Sequence, residues 1–287
     1  MHVSDVHLDQ VRKQGFTVVP GFLGADELAA AQAALWLHYP RPDAYFADPG
    51  AHAWLNAHAF AGLKLFPFKA WPLNRLAYHP DLVDAAQRLL ASTDLDLYKV
   101  ELWGKYSGAA DYEQTHHFDY GNHSLVVPNV DRAFMQMTTF ILLADVTLAD
   151  GPTRVVPLQH TTDVPFTPRD QTPGAFADAE VAITGPAGTL LIYHTGVLHR
   201  GSGFTAAGRS RFALLADYQV RGHPWAGKMS WPGRALHDGW HEVLVNATPR
   251  ERELFGFPPP GHSYWTDATI VGVEARWPGI DLSTYRR

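Results

Sequence analysis

The chain has 287 residues, 46% hydrophobic and 18% charged, which is enough for one large buried core and far from a disordered composition. A net charge of −6 without any Lys/Arg run argues against nucleic acid, and the absence of cysteine excludes disulfides, zinc–thiolate sites and thiol nucleophiles. Apolar runs are too short to cross a bilayer and residues 1–5 lack secretory-leader character, so a cytoplasmic protein acting on a small molecule, with no nucleic-acid or membrane partner, is expected.

The first 94 residues read as a helical part. Residues 8–14 suit a short helix, and Gly15 to Pro20 a β-rich strand that stops at the proline. Residues 26–38 have the spacing and Ala/Leu content of a helix, whereas 40–75, rich in Pro, Ala and aromatics, show no period and are expected to pack irregularly. Pro80 opens a further helix that runs to about residue 90, proline being suited to a first turn.

Strands dominate residues 95–220. They are expected at 97–106, 116–120, 134–146 and 153–157, with Asp150-Gly151-Pro152 turning the chain between the last two. Residues 161–180, with three prolines, read as a long loop of the kind that can serve as a lid. Strands resume at 180–183, 189–193, 197–199 and 211–220. Many short strands after a helical start point to a mainly β fold with flanking helices, built as a two-sheet barrel or jelly roll. Residues 221–287 are expected to wrap this core, with one helix at 249–254. Without repeats or a linker, the whole of 1–287 reads as one domain.

His117-Phe118-Asp119 falls on the second strand. Side chains at i and i+2 share a face of a strand, so His117 and Asp119 point inward together while Phe118 packs on the other side. An HxD triplet alone is a weak signal. Far downstream, the apolar stretch from Gly188 to Leu198 delivers His199 just before a Gly201-Ser202-Gly203 turn, and Arg211 opens the next apolar strand. Two imidazoles and a carboxylate form the donor set of mononuclear non-heme iron oxygenases. An arginine starting an apolar strand needs a carboxylate partner or solvent, and its planar fork suits a carboxylate.

The chain resembles the phytanoyl-CoA dioxygenase family of Fe(II)- and 2-oxoglutarate-dependent oxygenases. The resemblance covers most of the length. It runs through residues 14–23, His117-Phe118-Asp119, the stretch from Asp150 to His160, and His199-Arg200-Gly201-Ser202-Gly203 followed by Arg211. It implies a double-stranded β-helix (jelly-roll, cupin-like) core at about 95–220. It also implies Fe(II) on His117, Asp119 and His199, and 2-oxoglutarate on Arg211 with Ser202 as a second contact. O2 is the remaining co-substrate, and hydroxylation of an unactivated C–H of a small-molecule or carrier-linked substrate, with release of succinate and CO2, is the implied reaction. In halogenating relatives a small residue replaces the carboxylate ligand, so Asp119 favours hydroxylation over chlorination. Desaturation, epoxidation and cyclisation use the same ligands. Leu158-Gln159-His160 departs from the family's usual Gly-Ser-His ending, and the turn from His199 to Arg211 is one residue longer than in the best-known relatives, which leaves Arg209 competing with Arg211. Two other readings fit these residues: a cupin-like metalloenzyme that does not use 2-oxoglutarate, and a non-catalytic ligand-binding barrel.

Neighbouring residues sort by the same alternation. His116 faces away from the metal. His194 competes with His199 but precedes a plain Thr-Gly turn. His160 braces the loop after Pro157. Tyr120, Asn122 and His123 lie within reach of the pocket. Trp103 and Lys105 either line the co-substrate pocket or pack outside the barrel. Trp225, Trp231, Trp240 and Trp265 read as core or rim packing.

Overall fold

The computed structural model describes residues 2–109, 111–119, 136–165, 170–194, 196–222 and 239–286. Tyr120, Asn122, His123, Trp225 and Trp231 lie outside the described residues. Helix α1 (Asp5–Gln14) leads into strand β1 (Phe16–Val19), with Gly15 as the left-handed cap between them at φ 92°. Helix α2 (Ala25–Leu35) follows. Residues 40–75 are more regular than their sequence suggests. They hold α3 (Pro42–Ala47), a 3-10 helix (Pro49–Asn56), strand β2 (Leu63–Leu65) and α4 (Trp71–Leu76).

Helix α5 (Pro80–Leu90) carries its proline at the first position, and the preceding His79 ring accepts the Asp81 N–H at 3.2 Å. Its Leu82, Ala85, Ala86 and Leu89 form one apolar stripe. That stripe packs onto a large antiparallel sheet, against strands β4 (Gln136–Leu142) and β9 (Ser210–Val220). With β3 (Leu95–Tyr106) and β7 (Leu190–Tyr193), the sheet runs in the order β1-β7-β4-β9-β3-β2. A second antiparallel sheet has the order β6 (Val181–Ala182), β5 (Thr153–Val155), β8 (His199–Gly201). The helices cover one face of the six-stranded sheet, and its other face is turned toward the three-stranded sheet across a cavity of about 300 Å³.

The register of β3 on β9 decides what enters that cavity. Leu97 pairs with Tyr218, but the next pair is Lys99 with Asp217, so Tyr98 is a surplus residue, a β-bulge. Before the bulge, Leu95 and Leu97 belong to the core under the helices; after it, Val100 and Leu102 do. The phase has flipped by one residue. Lys99, Glu101, Trp103 and Lys105 therefore face the cavity, opposite Asp217, Leu215, Ala213 and Arg211.

The segment around His117 is not a continuous strand among the described residues. His117 makes isolated bridges to His199 and Asp170 instead, because it is squeezed between β8 and the chain returning from the long loop. Residues 239–286 hold three helices, α6 (Gly239–Asn246), α7 (Pro249–Glu253) and α8 (Asp267–Arg276), where one was expected. None of these described residues lines the cavity. Trp240 is buried against Phe66 and Phe255, and Trp265 against Tyr285, as packing residues. Among the described residues no helix is long and apolar enough to cross a membrane.

Candidate metal centre

His117, Asp119 and His199 come together at the cavity wall, all buried, with one donor atom of each within 4.8 Å of the others. Backbone bonds join the two histidines directly: His117 N–H donates to His199 O at 2.9 Å, and His199 N–H to His117 O at 3.2 Å. The rings then stand 4.6 Å apart. Each ring is oriented by its own chain. His117 Nδ1 lies 2.9 Å from Thr115 O, and His199 Nδ1 lies 3.0 Å from Val197 O. With Nδ1–H donating to a carbonyl, the proton is fixed there and the Nε2 lone pair is left for a metal. Those Nε2 atoms sit 3.8 Å and 3.5 Å from the two Asp119 oxygens. Two neutral imidazoles and one carboxylate on one side of a shared point could hold a divalent ion with open positions toward the cavity.

Tyr193, not singled out in the sequence, reaches the same carboxylate with its hydroxyl 3.5 Å from Asp119 Oδ2. Phe118 turns the other way, into a small cluster with Val156 and Leu198. Behind the centre, Glu180 binds His116 and Arg200, the residues adjacent to His117 and His199. It accepts from Arg200 Nε at 2.7 Å and Nη2 at 2.9 Å, from Arg154 at 2.9 Å, and lies 2.9 Å from His116 Nε2. His116 thus faces away from the metal position, as alternation requires. This carboxylate clamp spans chain segments far apart in sequence and was invisible to motif reading.

Arg211 lies in the cavity, opposite Lys105 across the β3–β9 pair. Among the described residues its Nη1 is buried without a hydrogen-bond partner. Burial pushes the guanidinium down to about 10. Lys105 Nζ sits 4.0 Å from the Tyr112 ring centroid, and burial together with Arg211 lowers its pKa to about 7. Arg209 is engaged elsewhere, in a two-pronged pair with Asp150 at 2.6 and 3.0 Å. Ser202 is buried and its hydroxyl donates to Pro152 O at 2.6 Å, away from the cavity lining. That contact closes the turn at Gly151, where φ is +59° and a side chain would strike the Ser202 carbonyl. His194 accepts the Gly196 N–H in its own turn and is kept neutral by burial, which lowers its pKa to about 4. His160 is exposed on a short 3-10 turn.

Residues 11–213 match the family model described as Phytanoyl-CoA dioxygenase (PhyH). Solved structures share the fold. The epimerase SnoN in complex with Fe3+, alpha ketoglutarate and nogalamycin RO aligns with a TM-score of 0.56 at 20% identity, over 78% of this chain and 94% of that one. EctD from S. alaskensis with 2-oxoglutarate and 5-hydroxyectoine aligns with 0.55 at 21% identity, over 76% of each chain. The carbocyclase SnoK from nogalamycin biosynthesis, described as non-heme and alpha ketoglutarate dependent, aligns with 0.53 at 19% identity, over 79% and 93%. No curated protein matches the sequence.

Proposed function

Because the chain belongs to the phytanoyl-CoA dioxygenase family, we propose that it is an Fe(II)- and 2-oxoglutarate-dependent dioxygenase that hydroxylates an unactivated C–H of a small-molecule or carrier-linked substrate. The two sheets are read as the halves of a double-stranded β-helix around the cavity. A cytoplasmic setting is part of the same proposal, supported by the cysteine-free sequence. One observation carries the reading: a His117–Asp119–His199 donor set and the Arg211 guanidinium, whose Nη1 is buried without a hydrogen-bond partner among the described residues, line the same 300 Å³ cavity.

His117, Asp119 and His199 would hold the iron, with Tyr193 steadying the carboxylate. Arg211 would take the distal carboxylate of 2-oxoglutarate, and Lys105 beside it adds a second positive charge. Bound there, iron, 2-oxoglutarate and O2 together supply an oxidant able to break a C–H bond, with succinate and CO2 released. The chain's own contribution is placement. It fixes the histidine tautomers through the two carbonyls, presents a cation where the co-substrate's far end must lie, and surrounds the reacting carbon with Phe140, Leu191 and Leu215 to exclude water.

The structural relatives include an epimerase and a carbocyclase, which favours a second reading of the same site: an oxidative outcome other than hydroxylation. The first test is succinate formation from 2-oxoglutarate by Fe(II)-loaded protein under O2 with ascorbate. Protein that binds Fe(II) but leaves 2-oxoglutarate unbound and unconsumed would refute the co-substrate assignment and favour a metalloenzyme of another type. Product mass then separates gain of one oxygen from loss of two hydrogens.

A further inference from the structure

About four residues along β3 from Lys105, roughly 13 Å at strand spacing, the cavity wall carries charge that neither the metal donors nor the co-substrate anchor uses. Lys99, Glu101 and Trp103 all project into the cavity there. Lys99 Nζ lies 3.0 Å from buried Asp217 and 4.0 Å from Glu101. Two carboxylates thus share one ammonium, and the nearer one has it. Burial pushes Asp217 up to about 6 while Lys99 pulls it back, so the ammonium is already committed.

Glu101 is the surplus charge. Its Oε2 accepts Trp103 Nε1–H at 3.0 Å, and among the described residues its Oε1 accepts nothing. The side chain is 14% exposed, and that exposure is to the cavity it lines. An ionised carboxylate has about four acceptor positions and is costly to enclose without a counter-charge. Among the described residues none lies closer than 4.0 Å. The surroundings also suit a cation. Phe60 stands edge-on to Trp103 at 5.6 Å and to Tyr112 at 5.7 Å, giving an aromatic wall beside the carboxylate. Leu63, Phe140, Leu191 and Leu215 line the remainder with hydrocarbon.

Resting on the oxygenase reading above, we propose that the substrate is a small amine, bound as its ammonium ion by Glu101. Its N–H donates to Glu101 Oε1, the Trp103 and Phe60 rings flank the charge, and the carbon skeleton lies along the apolar wall with a C–H toward the metal position. A neutral alcohol satisfies the hydrogen bond but leaves the charge unbalanced. A carboxylate-bearing substrate meets Glu101 as a like charge. Glu101 is therefore the residue that sets specificity at this end.

Calorimetric titration of hexylamine, hexanol and hexanoate tests this, on the metal-free protein and on protein loaded with Co(II) and 2-oxoglutarate without oxygen. Hexylammonium should bind at least about tenfold more tightly than either of the others, the scale of one charge-assisted hydrogen bond. E101Q, which keeps the shape and the Trp103 acceptor, should lose that preference while hexanol and Co(II) affinity stay as in the wild type and the melting temperature does not fall. A preference for hexanoate, equal binding of all three, or an amine preference that survives in E101Q would overturn the proposal. Failure of Co(II) or 2-oxoglutarate to bind would instead strike the oxygenase reading, and the metal-free titration would still decide the role of Glu101.

Discussion

Replacing Arg211 by methionine should stabilise the empty protein and weaken it as a binder of 2-oxoglutarate, two effects of opposite sign from one side chain. Nη1 of Arg211 is buried without a hydrogen-bond partner among the described residues, and burial lowers its pKa from 12.5 to about 10. That change corresponds to a penalty of about 2–3 kcal/mol on the charged form once hydration from the cavity is allowed for. Methionine fills similar space without charge, so the melting temperature of the empty protein should rise by roughly 3–5 °C. With the site loaded, that advantage shrinks or disappears. A ligand at a hundredfold excess over its dissociation constant adds about 2.7 kcal/mol. Loss of a charge-assisted pair costs roughly 10- to 100-fold in affinity, which leaves about 0.4–1.4 kcal/mol of that increment at the same concentration. Melting curves of Ni(II)-loaded wild type and R211M, with and without 2-oxoglutarate, measure both effects. An R211M protein that melts below the wild type when empty and gains as much from 2-oxoglutarate would refute the assignment of an unpaired anchor.

The remaining expectations follow from neighbouring features. Lys105, with a pKa lowered to about 7, is held partly neutral by the fold, whereas the unfolded chain keeps its proton up to the usual lysine range. The unfolded state therefore binds more protons between those limits, and this residue makes the empty protein more stable as pH rises through that window. Binding the 2-oxoglutarate dianion should draw a proton onto Lys105 near pH 8, seen as buffer-dependent heats in calorimetry that vanish in K105M; unchanged heats in K105M would exclude Lys105 as their source. E180A leaves Arg154 without its carboxylate and Arg200 with Glu113 alone, at a cost of about 3 kcal/mol and a fall in Tm of roughly 5 °C, and should loosen Co(II) binding, while E180Q does less of both. Equal metal affinity in E180A and wild type would show that the clamp does not position the ligands. D119A should abolish stoichiometric Co(II) binding, and retention of a tight site would place the metal elsewhere.

That His117, Asp119 and His199 could meet was legible because the geometry is local. His117 and Asp119 are two residues apart, and His199 and Arg211 each sit at the edge of an apolar stretch that can only be a strand. Arg209 and Arg211 were harder to separate from sequence, since the choice depends on Asp150, whose side chain takes Arg209 across 59 positions. Glu180 and Tyr193 carried no motif at all, and their roles arise only when distant strands meet. The short helices α3 and α4 escaped notice because aromatic packing, not period, sustains them, although Pro42 and Pro72 near their starts were usable signals. At β3 the chain did advertise its irregularity: leucines at 95 and 97 give way to apolar residues at 100 and 102.

That change of parity carries an evolutionary consequence. Every group that β3 offers to the chamber lies downstream of Tyr98, so a single-codon deletion there would leave composition and nearly all strand contacts intact yet turn the chemistry inside out, aiming lysines and glutamate at the helices and leucines at the ligand. Length variation at this one position is thus a far sharper filter on function than substitution anywhere along the same strand.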